Sequence, residues 1–258
     1  MMAGTGRAPL TAIMSALAEE QAGLLEQLQA PLLQTVAGRD FWTGQLHGNQ
    51  VVLALSRIGK VSASLTASVL IGHFGAHRIV FTGVAGGLAP GVRVGDVVVA
   101  QDFIQHDLDA SPQFPRYEVP LYGRVRFACE PALTSLLSTA ARQALGPDST
   151  AVIGLPAGAK VHSGLIASGD CFVSSAEASR ALQSALRSAG HEALAVEMEG
   201  AAVAQVCADY DIPFAAMRTI SDRADDTAYI DFTRFVNEVA SRYALAIIKQ
   251  LMQSLPAN

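Results

Sequence analysis

Carboxylate side chains follow three apolar segments of the sequence, at the points where each segment gives way to polar residues. Glu20 follows LTAIMSAL, Glu197 and Glu199 lie in ALAVEME, and Asp222 follows PFAAMRTIS. Burying a carboxylate is costly unless the backbone, a basic side chain or a ligand compensates its charge. A carboxyl group in a partly dry cleft has a raised pKa, which suits it to transfer a proton during a reaction. These acids are therefore the first candidates for catalysis or ligand binding.

Each of these acids also has a purely structural interpretation. Glu19 and Glu20 stand where a helix is predicted to begin, and acids in that position are stabilised by the helix dipole. Asp222 is placed to cap the turn that follows its strand. Arg218, in the same strand segment, is a candidate partner for a carboxylate in the cleft. The residue types alone leave both interpretations open.

The segment TGVAGGLAPGVRVGDVVVA connects one apolar strand to the next through a glycine-rich turn. Glycines without a side chain let the backbone approach a ligand closely, which makes Val84, Ala85 and Gly86 candidate binding residues. The segment has neither the dinucleotide-binding nor the P-loop pattern, so it predicts neither kind of site. A tight connection between strands is the alternative.

Two further segments contain residues with chemical potential. SGDCFVSS places Phe172 between small polar residues, where the ring either fills the core or stacks on a flat ligand. Cys171 has no signature of a nucleophile and is interpreted as a packing residue. In IQHDLDAS, His106, Asp107 and Asp109 favour a hydrogen-bonded loop or a subunit contact over a metal site, because no other His or Cys lies at the spacing of a metal ligand.

Short β-branched apolar runs alternate along the chain with segments of helical periodicity. This alternation predicts an α/β fold with a mostly parallel sheet and helices on both faces. Helical spacing is evident in EEQAGLLEQLQAPL, GKVSASLTASVLIGHF, GAAVAQVCADY and FTRFVNEVASRYALAIIKQLM. Residues 1–9 are expected to form a flexible tail and 10–258 a single domain. Residues 107–123 contain three prolines and are predicted to form a long loop.

The composition excludes several classes of partner. The formal net charge is −5 and the sequence has no basic stripe, so nucleic acid is not expected to bind. No apolar run is long enough to span a bilayer, and no secretory signal is recognisable. The three cysteines form no CxxC pair, which fits neither a disulfide framework nor a zinc site and favours a reducing, cytoplasmic location.

Four motifs, taken together and in this order, resemble one known family. They are TGVAGGLAPGVRVGDVVVA, GLIASGDCFVSS, AVEMEGAAVAQVC and MRTISDRAD. The sequence is similar over residues 10–252 to the bacterial methylthioadenosine/S-adenosylhomocysteine nucleosidases of the purine nucleoside phosphorylase superfamily. The resemblance implies a single-domain three-layer sandwich, in which helices flank a mixed, mostly parallel central sheet.

The resemblance also assigns expected roles to the acids. Glu20 matches the glutamate that positions and deprotonates the attacking water, and Asp222 matches the aspartate that protonates the purine at N7. Ser221 matches the neighbour that orients this aspartate. Glu199 matches the glutamate that binds the ribose hydroxyls, with Met198 packed against the sugar.

Other positions match the walls of the same site. Phe172 matches the ring stacked on adenine, and the backbone of Val173 matches the contact to the adenine edge. Arg218 matches an arginine near the catalytic and ribose-binding groups, and Glu197 matches a glutamate that lines the cleft. Val84 replaces a serine found in many members of the family, a change expected to be tolerated because backbone groups line that turn.

The implied activity is hydrolysis of the N-glycosidic bond of 5′-methylthioadenosine and S-adenosylhomocysteine, without metal or organic cofactor. The alternatives are a related purine nucleoside hydrolase or phosphorylase, such as one acting on futalosine or with phosphate, and a nucleoside-binding protein without turnover. The resemblance further implies a homodimer, in which the loop 107–120 of one subunit closes the 5′ pocket of the other. Phe114 and Pro115 are the candidate contact residues.

Overall fold

The computed structural model describes residues 9–146 and 158–255, so the predicted tail, apart from residue 9, lies outside the described residues. The strands are β1 (Thr11–Ser15), β2 (Gln29–Val36), β3 (Arg39–Leu46), β4 (Asn49–Leu55), β5 (Arg78–Phe81), β6 (Val84–Gly87), β7 (Val97–Gln105), β8 (Arg126–Ala128), β9 (Val161–Ser168), β10 (Ala193–Glu197) and β11 (Phe214–Asp222). The helices are α1 (Ala18–Glu26), α2 (Lys60–Gly72), α3 (Pro131–Ala144), α4 (Ala176–Ser188), α5 (Gly200–Asp209), α6 (Ala228–Phe235) and α7 (Ser241–Ser254), with a π-helical turn (Val236–Ala240) between the last two.

The strands form one mixed sheet in the order β2-β3-β4-β1-β5-β11-β6-β10-β9-β7-β8. Its centre is parallel, since β1 pairs in parallel with β4 and β5, and β11 pairs in parallel with β5 and β6. Strand β7 also pairs with β11, in the antiparallel sense, with Arg218 opposite Val98. This extra pairing closes five strands, from β11 through β6, β10, β9 and β7, into a ring that the pattern of apolar runs does not predict.

Side chains alternate between the two faces of the sheet and meet a different group of helices on each. In β1, Ala12 and Met14 pack into a core with residues of α2 and α5, whereas Ile13 packs into a core with residues of α1, α3 and α7. This is the period-two pattern of strands buried on both sides. The predicted α/β three-layer architecture is therefore confirmed.

The prediction that the helical pattern EEQAGLLEQLQAPL continues to Leu32 is wrong. Helix α1 ends at Glu26, and β2 begins at Gln29 and pairs with β3. Pro31 has no N–H to donate in a helix, and Ala30 before it has a φ of +49°. The leucines that mimic a helical stripe therefore divide between a short helix and an exposed edge strand.

The run RIVFTGVAG forms two strands, one on each side of β11. The chain leaves β5 at Thr82, crosses at Gly83 and continues as β6 on the other side of β11. The N–H of Thr219 donates to the Gly83 carbonyl at 2.9 Å, which fixes this crossing. The glycine-rich turn is thereby placed next to the end of β11, where Asp222 lies.

The remaining predicted features are the long loop and the absence of a membrane span. Residues 106–125 contain turns and a single β-bridge between Val119 and Arg124, as expected for a loop. Among the described helices, none combines the length and the hydropathy that crossing a bilayer requires.

Candidate active site

A cavity of about 330 Å³ lies beyond the carboxyl ends of β1, β10 and β11. Its volume is in the range of small-molecule binding sites, and its position is the one expected for ligands of α/β sheets. It is lined by Ala16, Leu17, Glu20, Ile58, Gly83, Val84, Ala85, Gly86, Phe172, Val196, Glu197, Met198, Glu199, Arg218, Ser221, Asp222, Tyr229 and Phe232. The lining includes every candidate residue from the sequence except Val173.

Glu20 is buried at the first turn of α1, with its side chain directed back to the start of the helix. Its Oε2 accepts hydrogen bonds from the N–H groups of Ala16 at 2.8 Å and Leu17 at 2.9 Å, and its Oε1 accepts one from Val84 at 3.1 Å. Burial raises the pKa of Glu20, while these hydrogen bonds and the charge of Arg218 oppose that rise. Glu20 therefore caps the start of α1 and also lines the cavity.

Asp222 is buried at the end of β11, where two hydrogen bonds fix its carboxyl group. The N–H of Ala224 donates to Oδ1 at 2.8 Å, and the Ser221 hydroxyl donates to Oδ2 at 2.8 Å. Burial is the largest influence on the pKa of Asp222 and raises it. A carboxyl group with a raised pKa holds its proton to higher pH, which is what a proton donor requires.

The glycine-rich turn gives both acids the room they occupy. A Cβ at Gly83 would lie 3.2 Å from Glu20 Oε1, and one at Gly86 would lie 2.9 Å from Asp222 Oδ1. Glycine at these two positions leaves room for the two carboxyl groups, which explains why this backbone can lie close to the cavity, as predicted. Val84 contributes its N–H to Glu20, and that contact does not depend on the side chain at this position.

Glu197 is satisfied entirely within the protein. Its Oε2 accepts hydrogen bonds from Arg218 Nη2 at 2.6 Å and Nε at 3.2 Å, and both oxygens accept from the N–H of Gly200. The Ser168 hydroxyl donates to Oε1. The Arg218 guanidinium also lies over the Phe81 ring, 4.1 Å from its centroid. This buried pair anchors the end of β10 to β11 and the first turn of α5.

Glu199 lies two residues further on and has one protein hydrogen bond in the described structure, from the Gly59 N–H to Oε1 at 2.8 Å. Its residue is 5% exposed, so the other oxygen is largely removed from water inside the cavity. Burial, followed by the charge of Glu197, raises the pKa of Glu199 to about 8. A buried carboxyl group with an oxygen free to bind a donor fits a ligand-binding role.

Aromatic rings form the outer wall of the cavity. Phe172 is 40% exposed and meets Phe232 edge to face, with ring centroids 5.6 Å apart. The core-packing alternative for Phe172 is thus disfavoured. Met198 is half-buried between the two glutamates and lines the same cavity. The flat, apolar part of a ligand would pack against these side chains.

Val173 lies outside the lining. Its side chain packs in a separate cluster with Leu88, Ile104, Tyr117 and Ala224. The predicted contact involves its backbone rather than its side chain, so this burial is compatible with the role, which stays a prediction.

Several wall residues were not predicted from the sequence, chiefly Ile58, Tyr229 and Phe232. Tyr229 and Phe232 stand three positions apart on α6, a spacing that places them on one side of a helix. That spacing is a weak signal, because the same pattern describes any amphipathic helix. Ile58 precedes the Gly-Lys start of α2 and carries no local signal of a binding role.

The geometry combines three buried acids with different environments. Asp222 has two fixed hydrogen bonds and a raised pKa, Glu20 has three N–H donors, and Glu199 has an oxygen available to a ligand. Groups whose environments differ in this way can act as acid, base and binding carboxylate in one site. The cavity can therefore perform acid–base chemistry on a small molecule with hydroxyl groups.

Comparison with known proteins identifies relatives over nearly the whole chain. Residues 11–252 match the family described as the phosphorylase superfamily. A 5′-methylthioadenosine/S-adenosylhomocysteine nucleosidase of Mycobacterium bovis is 36% identical over 249 residues, covering 93% of this chain and 95% of the relative. The match thus spans all the elements that build the cavity.

Solved structures agree in fold as well as sequence. The nucleosidase of the same description from Neisseria meningitidis, solved in complex with methylthio-immucillin-A, has a TM-score of 0.84 and is 34% identical, covering 95% of this chain and 99% of that one. The futalosine hydrolase of Helicobacter pylori has a TM-score of 0.83 and is 31% identical, covering 96% and 99% of the two chains.

Proposed function

Since this chain belongs to the phosphorylase superfamily, and within it to the 5′-methylthioadenosine/S-adenosylhomocysteine nucleosidases, we propose that it hydrolyses the N-glycosidic bond of these two nucleosides. Water adds its hydroxyl group to the anomeric carbon, the bond from that carbon to adenine breaks, and a proton passes to the departing adenine. The observation that supports this chemistry best is that Glu20, Glu199 and Asp222 line one cavity.

Asp222 is the proposed proton donor to N7 of the purine. Adenine is a poor leaving group as an anion, so protonation in the transition state is required for rapid cleavage. The raised pKa of Asp222 keeps its proton available, and the bonds from Ser221 and Ala224 hold the carboxyl group in one orientation. A fixed donor avoids reorganisation when the bond breaks.

Glu20 is the proposed base that positions and deprotonates the attacking water. Burial raises the pKa of this carboxylate, which makes it a stronger base than a free glutamate. Its three N–H donors come from two elements, the start of α1 and the glycine-rich turn, so the carboxylate cannot rotate freely. Since Glu20 also lines the cavity, its remaining lone pairs are available to a water molecule there.

Glu199 is the proposed clamp for the ribose hydroxyls. Two hydroxyl groups donating to its carboxylate form charge-assisted hydrogen bonds, the stronger kind, and these bonds favour the ionised form that burial disfavours in the absence of ligand. The transition state of glycoside cleavage resembles an oxocarbenium ion, whose positive charge a nearby anion stabilises. The same residue thus binds the sugar and favours its cationic form.

The charges of the cavity lining suit water as the nucleophile better than they suit phosphate. Of the described lining residues, Arg218 is the one with a basic side chain, and it is engaged by Glu197 at 2.6 Å. A phosphate ion would therefore meet the carboxylate of Glu20 without a free cation to compensate. The lining favours hydrolysis over phosphorolysis.

The test is release of free base from purified protein in buffers with and without phosphate. Methylthioadenosine and S-adenosylhomocysteine are expected to yield adenine at the same rate in both buffers. Strict phosphate dependence would contradict the hydrolase assignment. Thermal stabilisation by adenine without any turnover would instead support a nucleoside-binding protein.

Futalosine is the second candidate substrate. The similarity to the futalosine hydrolase of Helicobacter pylori, at a TM-score of 0.83, is the observation that favours it. Release of base from futalosine in the same phosphate-free assay decides the point. Inosine serves as the control, since it has the same hypoxanthine base but an unmodified 5′ hydroxyl group.

We also propose that two copies of the chain pair through the exposed apolar side of α2. Ile58, Val61 and Leu65 are 55%, 82% and 42% exposed, and their spacing places Val61 and Leu65 on one side of that helix. Ile58 also lines the cavity, so this surface borders the site. In such a dimer, the loop 107–120 of one subunit would reach the other's cavity through Phe114 and Pro115.

Sedimentation equilibrium checks the assembly. The natural chain is expected to give twice the monomer mass, and Val61→Glu with Leu65→Glu is expected to give a folded monomer. A monomeric natural chain at micromolar concentration would overturn the dimer.

A cytoplasmic location is also proposed. Cys129, Cys171 and Cys207 are all free thiols, as is usual in a reducing compartment. Fractionation of cells that express the chain, followed by immunodetection, tests this location.

A further inference from the structure

Helix α2 begins at a residue that has no side chain with which to cap it. Gly59 occupies the N-cap with a φ of +94°, and carboxylates from distant elements accept the hydrogen bonds of this helix end. The Gly59 N–H donates to Glu199 Oε1 at 2.8 Å, and the Lys60 N–H donates to Asp170 Oδ1 at 2.8 Å. Helix caps are ordinarily supplied by the N-cap residue itself, so this arrangement joins the helix to two other parts of the site.

Asp170 belongs to the segment 169–173 between β9 and α4, here called the Phe172 loop. Its own N–H donates to Asp107 Oδ2 at 2.8 Å. Asp107 Oδ1 in turn accepts a hydrogen bond from Lys60 Nζ at 2.6 Å. Lys60 is therefore bound to the Phe172 loop through its backbone N–H and through its side chain, whose Nζ binds Asp107 and lies 4.0 Å from Asp170 Oδ2.

Steric fit adds a second constraint to this junction. A Cβ at Gly59 would lie 3.1 Å from Asp170 Oδ1, in a backbone conformation that only glycine adopts without strain. The Lys60 side chain is 15% exposed, and partial burial strengthens its charge-assisted bond to Asp107. Three elements far apart in sequence therefore meet at one well-packed point outside the cavity lining.

We propose that Asp170 is a positioning residue whose carboxylate fixes the Phe172 loop to the first turn of α2 and so holds Phe172 and Glu199 in place around the nucleoside. This inference rests on the proposed function for the roles of Phe172 and Glu199. Phe172 stands two residues after Asp170, and Glu199 is bound by the residue that precedes Lys60. One carboxylate thus controls the positions of the group that stacks on the base and the group that binds the sugar.

Loss of this carboxylate is expected to weaken substrate binding more than it slows the chemical step. Stacking on the base and hydrogen bonding to the ribose hydroxyls are already made in the ground state, and the charge stabilisation by Glu199 is added in the transition state, so KM is expected to rise more than kcat falls. Removing one hydrogen bond to a charged group corresponds to a change of about tenfold in KM. Asp170→Asn retains an oxygen that accepts from the Lys60 N–H and is expected to stay within about threefold of the natural KM.

The experiment compares Asp170→Ala and Asp170→Asn with Glu177→Ala, a matched control that removes an exposed acid from the neighbouring α4. Steady-state constants for methylthioadenosine are measured together with hydrogen–deuterium exchange of residues 57–62. Asp170→Ala is expected to raise KM about tenfold and to accelerate exchange of the Lys60 amide. The control and Asp170→Asn are expected to leave that amide protected.

Unchanged amide exchange in Asp170→Ala overturns the positioning role, whatever the activity. A tenfold fall in kcat with no change in KM also overturns it, since that result would place Asp170 in the chemical step. If the natural chain releases no adenine while exchange still accelerates in Asp170→Ala, the junction stands and the proposed function fails.

Discussion

The backbone N–H of Glu199 donates to the carboxylate of Glu197 at 3.2 Å, so two buried acids two residues apart share one turn. The protein satisfies the first with Arg218, Ser168 and Gly200, and among residues 9–146 and 158–255 the second has one partner, the Gly59 N–H. The paired carboxylate holds the turn together. The other is the one that can bind a ligand, and a substrate diol would complete its hydrogen bonding.

The first prediction concerns the proton donor. Asp222→Asn retains the hydrogen-bond acceptor for Ala224 but cannot protonate the purine, so adenine release is expected to fall by a factor of about 10² to 10⁴. The melting temperature is expected to stay equal or rise, because burial disfavours the charged form that asparagine lacks. Asp226→Asn, four residues on and exposed, is the control. A fully active Asp222→Asn would remove this residue from the acid role.

The second prediction concerns the base. Glu20→Gln offers only one acceptor oxygen where the natural side chain uses both, and its amide NH₂ would face an N–H donor. Activity is expected to fall about 10² to 10⁴-fold, and stability is expected to fall by about 1 to 3 kcal/mol.

Glu19→Gln is the matched control for this variant, since Glu19 is the adjacent, exposed acid of the same helix. Adenine-release rates and urea unfolding are measured for both. If Glu20→Gln is as stable as the natural chain, the three hydrogen bonds to Glu20 do not contribute to the stability of the fold.

The third prediction is a pH dependence of stability in the absence of ligand. Burial and the charge of Glu197 raise the pKa of Glu199 from 4.5 to about 8, so between these values the folded state keeps a proton that the unfolded state has lost. Stability therefore falls as pH rises through this window. Arg218 and Glu20 also face this carboxyl group, with opposite effects on its charge.

Glu199→Gln removes this dependence. Its melting temperature relative to the natural chain is expected to rise by about 10 °C between pH 5 and pH 8, measured by calorimetry. Glu192→Gln, which removes an exposed acid nearby, is expected to leave the difference constant. If the melting temperatures of Glu199→Gln and the natural chain change with pH in parallel, burial does not raise the pKa of Glu199.

The fourth prediction concerns the space that the glycine-rich turn leaves for Asp222. A Cβ at Gly86 would lie 2.9 Å from Asp222 Oδ1 and 3.0 Å from the Ala224 side chain, so Gly86→Ala displaces the acid. Adenine release is expected to fall about tenfold or more, because small misplacement of a catalytic group is costly. Gly91→Ala lies in the same segment, but its added Cβ would have no atom of the described residues within 4 Å, so this variant is expected to stay active.

The prediction of the fold was correct where the spacing of apolar residues had one interpretation, and it was wrong where that spacing had two. Buried strands such as β1 and β11 are marked by continuous apolar runs, and their flanking polar residues correctly indicate the edge where the cavity lies. The leucines after Glu20 satisfy a helical spacing, yet Pro31 and the pairing of β2 with β3 override it. Local pattern cannot predict a pairing whose partner strand is elsewhere in the chain.

The sequence by itself determined the family, the layered α/β architecture and the set of acids that approach one cavity, because these depend on residue type and local order. Only the tertiary structure decided which acid is neutralised and which is left for a ligand. Glu197 and Glu199 are the same residue type two positions apart, and they differ because Arg218 and Ser168 bind one, whereas in the described part of the chain Gly59 binds the other. The capping of α2 by Asp170 has the same origin, since its partners meet only when β9, α2 and the start of the long loop are packed together.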